Sequence, residues 1–121
     1  KEKSYQGLEK ILGTIANSGK GSFLAVLKLY GKANENYLSF PMEGYSLALD
    51  FKIEPGLFEL LDRLDEIVLE YGGRIYLTKD VRVSKETFEK GYPEIEKFRA
   101  FRKENAMSEK FASLQSKRVG I

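Results

Sequence analysis

The side chains that could do chemistry in this chain are few in kind, because its 121 residues include no histidine and no cysteine. Ser-His-Asp and Cys-His catalysis, zinc sites built on Cys and His, and disulfides are therefore excluded. Lysine, tyrosine, aspartate and glutamate remain. Any reaction depends on these groups or on a bound cofactor, and we predict no metal site.

Gly19-Lys20-Gly21-Ser22 has the composition of a phosphate-binding loop but not its spacing. The distance back to Gly13 is one residue too long, and Gly21 stands where a Ser or Thr is required. A phosphate loop also leads from a strand into a helix, whereas these residues follow a helical pattern and precede a strand. We interpret them as an ordinary glycine turn.

A group of carboxylates lies on one predicted helix, opposite its apolar face. Charges in that position are typical of a solvated helix surface, so neither a metal site nor an acid–base pair is indicated. The residues concerned are Asp62, Asp65, Glu66 and Glu70.

The apolar spacing that would position these side chains predicts an α+β fold. Helices are expected where apolar residues recur every three or four positions, and strands where they alternate or run together between glycines. The predicted helices cover residues 5–16, 57–71, 84–91, 93–105 and 108–117, and the predicted strands cover 22–30, 45–51 and 73–78. In the last two helices the positions predicted to be buried are Ile95, Phe98, Phe101, Met107, Phe111 and Leu114.

These elements assemble into a mostly antiparallel sheet of about three or four strands, with helices packed on one face. Residues 44–78 are expected to form a β-α-β unit. The length fits a single domain over residues 1–121.

Strand alternation places polar and small side chains together on the sheet face away from the helices. Two interpretations stay open at this point: a platform for a flat ligand, or an ordinary exposed face of an antiparallel sheet. The residues gathered there are Lys28, Tyr30, Ser46, Ala48, Asp50, Tyr76 and Thr78.

Charge and hydropathy exclude some partners. Twenty basic and eighteen acidic residues are interspersed and leave a net charge of +2, which gives no indication of nucleic-acid binding. No apolar run reaches the roughly 18 residues of a membrane-spanning helix, and residues 1–10 lack the apolar core of a signal peptide. We expect a location in the cytoplasm or peripheral to a membrane.

Several short motifs, in order along the chain, resemble the C-terminal part of the FAD-linked oxidases of the vanillyl-alcohol oxidase superfamily. Within that superfamily the resemblance is strongest to the oxidases of decaprenylphosphoryl-ribose. The motifs are Phe23-Leu24-Ala25-Val26-Leu27-Lys28 with Gly31, Leu38-Ser39-Phe40-Pro41 with Gly44, Asp50-Phe51, residues 72–82, Thr87-Phe88 with Tyr92-Pro93, and Phe111-Ala112-Ser113 with residues 117–121.

The resemblance implies an incomplete substrate (cap) domain, whose antiparallel sheet covers the flavin ring. The FAD would be held mainly by an N-terminal FAD-binding domain that is absent from this chain. It implies oxidation of a sugar or alcohol hydroxyl by hydride transfer to the flavin, at C2′ in the decaprenylphosphoryl-ribose case. A separate NADH-dependent reductase would complete that reaction. The chain by itself is expected to be inactive.

The resemblance also assigns roles to individual residues. Lys79 corresponds to a lysine beside the flavin and the substrate, which makes it the catalytic and cofactor-binding candidate. Tyr76 corresponds to a tyrosine that lines the same site, and Lys28 to a lysine of the substrate pocket. Ser46 and Ala48 complete the expected substrate-binding set, and Ala48 stands where mycobacterial members have a cysteine.

Two features qualify these assignments. Strict alternation along 73–78 puts Lys79 with Ile75 and Leu77, so Lys79 must lie past the strand's end or after a bulge. A different class of function also fits the sequence: a small α+β module without catalysis, whose polar sheet face binds another protein.

Overall fold

Six helices and one antiparallel pair of strands form residues 2–121, the part of the chain that the computed structural model describes. The α+β class is confirmed. A 3₁₀ turn, Leu77–Lys79, lies between the second and third helices. The helices are α1 (Glu2–Ser18), α2 (Leu57–Glu70), α3 (Lys85–Gly91), α4 (Ile95–Glu104), α5 (Met107–Lys110) and α6 (Leu114–Val119), and the strands are β1 (Ser22–Tyr30) and β2 (Gly44–Phe51).

The register of β1 and β2 puts the predicted polar residues of these strands on one face. Lys28 lies opposite Ser46, and Val26 lies opposite Ala48. Directly opposed residues of an antiparallel pair project from the same side of the sheet. We call this side the site face, and its residues from the predicted set are Lys28, Tyr30, Ser46, Ala48 and Asp50.

The strand predicted at 73–78 does not form, and the predicted β-α-β unit is absent with it. Within residues 2–121 the sheet has two strands, where three or four were expected. The Ile75 and Leu77 carbonyls accept from side chains instead of from a neighbouring strand. The Tyr92 hydroxyl, for example, donates to the Ile75 carbonyl at 2.9 Å. This carbonyl therefore has a hydrogen-bond partner although the segment pairs with no strand.

One hydrophobic cluster joins α1 and α2 to the side of the sheet opposite the site face. Its buried members are Ile15, Leu60, Leu64 and Ile67, and Leu49 of β2 packs against them. The apolar face predicted for the second helix is therefore correct, and together with α1 it packs against β2. On the same side of the sheet, Phe23, Leu27 and Leu29 of β1 stay exposed. This packing leaves the site face free of α1 and α2.

A second hydrophobic cluster lies among the C-terminal helices. Its buried residues are Val83, Phe88, Tyr92, Ile95 and Val119, from α3, α4, α6 and the segment before α3. Ile75 and Leu77 pack against it, which explains their alternation: they face this second cluster rather than a sheet core. Within residues 2–121, neither β1 nor β2 contributes a residue to this cluster.

Asp65 was predicted to be a solvated surface charge, and that prediction is wrong. Only 7% of the residue is exposed, and its carboxylate pairs with Arg82 at 2.8 Å. Burial raises the pKa of Asp65, while the hydrogen bond and charge of Arg82 oppose that rise. Arg82 also binds Asp62 at 2.6 Å, so one guanidinium ties the segment before α3 to α2.

The helix predicted over 108–117 is divided into α5 and α6. Ser113 interrupts it by forming a capping box with Ser116 at the start of α6, a strong signal for a helix N-terminus. Phe111 and Leu114 of this stretch, predicted to be buried, are exposed, Leu114 to 87%. Phe101 of α4, also predicted to be buried, is exposed as well.

Within residues 2–121, every helix is too short or too polar to cross a membrane.

The first cluster provides a stability test. Leu64 is 7% exposed, so Leu64→Ala should lower the free energy of unfolding by about 2–5 kcal/mol through lost burial and a residual cavity. The same substitution at the exposed Leu114 is the matched control and should change it by less than about 0.5 kcal/mol. Urea denaturation of both variants measures the difference. Equal effects would mean that α2 does not pack through this face.

Candidate functional site

The site face offers polar groups that the rest of the protein does not use. Among residues 2–121, the Lys28 ammonium and the Ser46 hydroxyl have no hydrogen-bond or ion-pair partner. The side chain of Ala48 between them and Asp50 is a single exposed methyl group. An open surface results, on which Lys28 and Ser46 are directly opposed across the two strands.

Lys79 reaches this face from outside the sheet. It is the last residue of the 3₁₀ turn, and its Nζ lies 3.2 Å from Oδ2 and 3.3 Å from Oδ1 of Asp50. The expected displacement of Lys79 from strict alternation is therefore produced by the 3₁₀ turn, since there is no strand end or bulge at this point. The Lys79 side chain is 70% exposed, which leaves ammonium protons available to a ligand.

Tyr76 joins the site face through a row of aromatic rings. Its ring lies 4.6 Å from that of Phe40, centroid to centroid, and Phe40 meets Tyr30 edge-on at 6.0 Å. Both arrangements fall in the range favoured by aromatic pairs. Tyr76 thus approaches the predicted site although the strand that was meant to place it is absent. Thr78, assigned to the same face by that strand, lies in the 3₁₀ turn instead.

Arg74 connects the segment that carries Tyr76 to the loop that carries Phe40. Its Nη1 donates to the Ser39 carbonyl at 2.9 Å, and its guanidinium lies 5.1 Å from the centroid of the Tyr92 ring. Sequence reasoning missed both Arg74 and Phe40 as site residues. Phe40 stands in the Leu38-Ser39-Phe40-Pro41 motif, and alternation along 73–78 put Arg74 on the side of Tyr76, but neither pattern indicated a contact at the site.

Asp50 is a further residue that the sequence-derived site set left out. Alternation placed it on the site face, but nothing in the pattern indicated that it would orient Lys79. The two residues are separated by 29 positions and contact only in the folded chain. An exposed ion pair of this kind contributes at most about 1 kcal/mol to stability, so its main effect is on where the ammonium points.

The Gly19-Lys20-Gly21 turn takes no part in the site. The Lys20 ammonium donates to the Pro55 carbonyl at 2.8 Å and pairs with Glu54 at 3.2 Å. These bonds connect the end of α1 to the start of α2, and Gly19 has the positive φ of a helix-terminating glycine. The loop is the glycine turn that the spacing predicted.

Comparison with known proteins was made for the whole chain. No protein-family model matches it. It is 39% identical over 119 residues, or 98% of its length, to decaprenylphosphoryl-β-D-ribose oxidase of Mycolicibacterium smegmatis. The resemblance to that oxidase is confirmed. It is also 35% identical over 115 residues to a Streptomyces coelicolor protein described only as uncharacterized and in the mprA 5′ region.

The chain spans 26% of decaprenylphosphoryl-β-D-ribose oxidase and 31% of the Streptomyces protein. The aligned part of the oxidase runs through nearly all of this chain, so it includes residues 28–79, which form the site face and its neighbours. The similarity is thus to a portion of an oxidase.

Tyr92 holds the segment next to the site and gives a pH-dependent test. Burial raises the pKa of Tyr92 to about 12 from 10.0, so between pH 10 and 12 the unfolded chain loses this proton while the folded chain keeps it. The contribution of Tyr92 to the free energy of unfolding therefore falls as the pH rises through that window.

Tyr92→Phe should cost about 1 kcal/mol at pH 7, through the lost hydrogen bond to Ile75. Its free-energy difference from the wild type should then shrink from pH 10 upward. Urea denaturation at pH 7, 9 and 11 measures both quantities. A difference that stays constant with pH would show that Tyr92 is not protected in the folded chain.

Proposed function

We propose that this chain is the C-terminal part of the substrate domain of an FAD-dependent oxidoreductase. The enzyme would oxidise a sugar or alcohol hydroxyl by hydride transfer to the flavin. The proposal is supported by one open sheet face that bears Lys28, that Lys79 contacts through Asp50, and that Tyr76 approaches through Phe40 and Tyr30. The chain is also similar to part of an oxidase.

The outer edge of β1 supports the view that further strands and the FAD-binding domain come from elsewhere in a longer protein. No strand within residues 2–121 pairs with this edge. Apolar side chains along the strand are exposed, with Phe23 at 75%, Leu29 at 59% and Leu27 at 56%. Side chains of this kind are normally covered in a finished domain. The chain alone is therefore expected to be inactive.

The residues present fit a flavin and an alcohol donor. A bound flavin would supply the acceptor for the hydride. Lys79 would hold its ammonium beside the reacting groups, where positive charge stabilises developing negative charge. Asp50 occupies one side of that ammonium and so orients the remaining protons outward. Tyr76 adds a phenol that can donate to or accept from a substrate hydroxyl.

Lys28, Ser46 and Ala48 would form the substrate side of the face. An ammonium suits a phosphate oxygen, a serine hydroxyl suits a sugar oxygen, and the small Ala48 leaves room for a ring. The name of the Mycolicibacterium smegmatis relative indicates decaprenylphosphoryl-ribose as its substrate. We extend this to a polyprenyl-phosphate sugar oxidised at C2′, with an NADH-dependent reductase as the later partner.

The same exposed β1 strand also fits the alternative, a small module without catalysis that binds another protein. The two functions differ in one measurable property, which is flavin binding by the complete protein.

Lys79→Ala in the complete flavoprotein should reduce the rate of flavin reduction by about 10²–10³-fold, the range for removing one preorganised donor to developing charge. Unfolding and flavin content should stay unchanged, because the side chain is exposed. The measurement is anaerobic bleaching of the flavin band after addition of a polyprenyl-phosphoribose. Lys110→Ala, another exposed lysine, is the matched control and should bleach at the wild-type rate.

Each outcome decides between the proposals. A wild-type flavin that does not bleach with this donor would remove the polyprenyl-phosphate sugar and keep the flavoprotein. A folded complete protein that binds no flavin would favour the interaction module. Near-normal reduction in Lys79→Ala would remove Lys79 from the site.

A further inference from the structure

The segment that carries Tyr76 and Lys79 has little regular structure of its own. Between the end of α2 and the start of α3, its only repetitive element is the three-residue 3₁₀ turn Leu77–Lys79. Repetitive backbone hydrogen bonds therefore fix little of this segment. The position of Lys79 must therefore depend on contacts made by the residues on either side of it.

Those contacts come largely from α6. The Gln115 side-chain amide donates to the Leu77 carbonyl at 2.7 Å and lies 3.4 Å from the Asp80 carbonyl. One side chain thus holds the peptide groups at the two ends of the turn, with Lys79 between them. Gln115 is half-buried, so water competes less for these bonds than on an open surface.

Arg118, one turn later on α6, binds Asp80 and Val83, which follow the 3₁₀ turn. Its Nη2 pairs with Asp80 Oδ2 at 2.7 Å, and its Nη1 donates to the Val83 carbonyl at 2.7 Å. The other Asp80 oxygen accepts from the backbone N–H groups of Arg82 and Val83, at 3.1 and 2.9 Å. The Asp80 side chain is almost fully buried, and bonds between charged groups are among the stronger hydrogen bonds.

The ion pair between Lys79 and Asp50 is too weak to fix the backbone of the segment that carries Lys79. It is exposed on the Lys79 side, and such pairs contribute at most about 1 kcal/mol. It can choose among orientations of the ammonium, but it cannot fix the backbone beneath it. The bonds from α6 are more numerous and better shielded.

The helix that supplies these bonds is itself well anchored. Val119 is fully buried in the second cluster, the capping box of Ser113 and Ser116 closes the N-terminus, and Gly120 ends the helix with a positive φ. Arg99 also donates to the Gly120 carbonyl at 2.7 Å.

We propose that Gln115 and Arg118 are positioning residues, which hold the 77–83 backbone so that the Lys79 ammonium lies over the site face. The proposal rests on the proposed function, in which Lys79 acts on a bound flavin. Because misplacement by about 1 Å can cost about 10²-fold in rate, the contribution of Lys79 depends on these distant side chains.

The test uses the complete flavoprotein with Gln115→Met, which keeps the side-chain volume and removes the amide donor. Arg118→Lys keeps the charge but replaces the planar guanidinium, whose two nitrogens bind Val83 and Asp80 separately, with one ammonium nitrogen. The exposed Lys117→Ala on the same helix is the control. Two properties are measured: amide hydrogen exchange in residues 74–83, and the midpoint potential of the bound flavin with and without Lys79→Ala.

We expect Gln115→Met and Arg118→Lys each to speed amide hydrogen exchange in residues 74–83 by about tenfold or more. Exchange in α2 should stay unchanged. A cation beside the flavin raises its midpoint potential, so Lys79→Ala should lower it. Gln115→Met should lower it by a smaller amount, and should cause no further change in the Lys79→Ala background, since residues that act through one another are not additive. Lys117→Ala should change neither property.

Unchanged exchange in 74–83 would overturn the proposal, because the α6 bonds would not be holding the segment. Faster exchange with an unchanged potential, or with an equal shift in the Lys79→Ala background, would leave Gln115 a purely structural role and also overturn it. In both cases a flavin that responds to Lys79→Ala leaves the proposed function intact. A wild-type protein without flavin overturns both proposals together.

Discussion

Buried peptide groups need hydrogen-bond partners, and within residues 74–83 only the short 3₁₀ turn Leu77–Lys79 provides regular ones. The rest of the site depends on how this need is met. Side chains of Tyr92, Gln115 and Arg118 donate to carbonyls of the segment. The buried Asp80 carboxylate accepts from the N–H groups of Arg82 and Val83. Through these bonds the C-terminal helices position the segment that carries Tyr76 and Lys79, the two residues that lie next to the sheet.

The parts of the fold that follow from local patterns could be predicted. β1 and β2 alternate clearly, and the amphipathic face of α2 packs as its spacing indicates. The alternation of 73–78 looked the same but has a different cause, since Ile75 and Leu77 face the second cluster of helices. A periodic pattern reports which side is buried and does not report what buries it.

Part of the candidate site could be predicted from the sequence, again because local patterns determine it. Strand alternation placed Lys28, Ser46 and Ala48 on one face, because the side to which a residue projects depends only on its own strand. The contact of Lys79 with Asp50 and the stacking of Phe40 on Tyr76 join distant segments. No local spacing encodes such contacts. Lys79 was predicted only from the resemblance to known oxidases, and alternation placed Tyr76 on this face through a strand that does not form.

The open edge of β1 bears on how these residues would behave at high concentration. A long, apolar strand with unpaired backbone groups is a template for another strand, and proteins usually protect such edges with charges or prolines. Along Ser22–Tyr30 the sole charged residue is Lys28, and there is no proline. Association of separate copies edge to edge, with eventual aggregation, is the expected fate of this hairpin when nothing covers it. The lysine proposed to bind substrate is also the strand's one electrostatic barrier to that outcome.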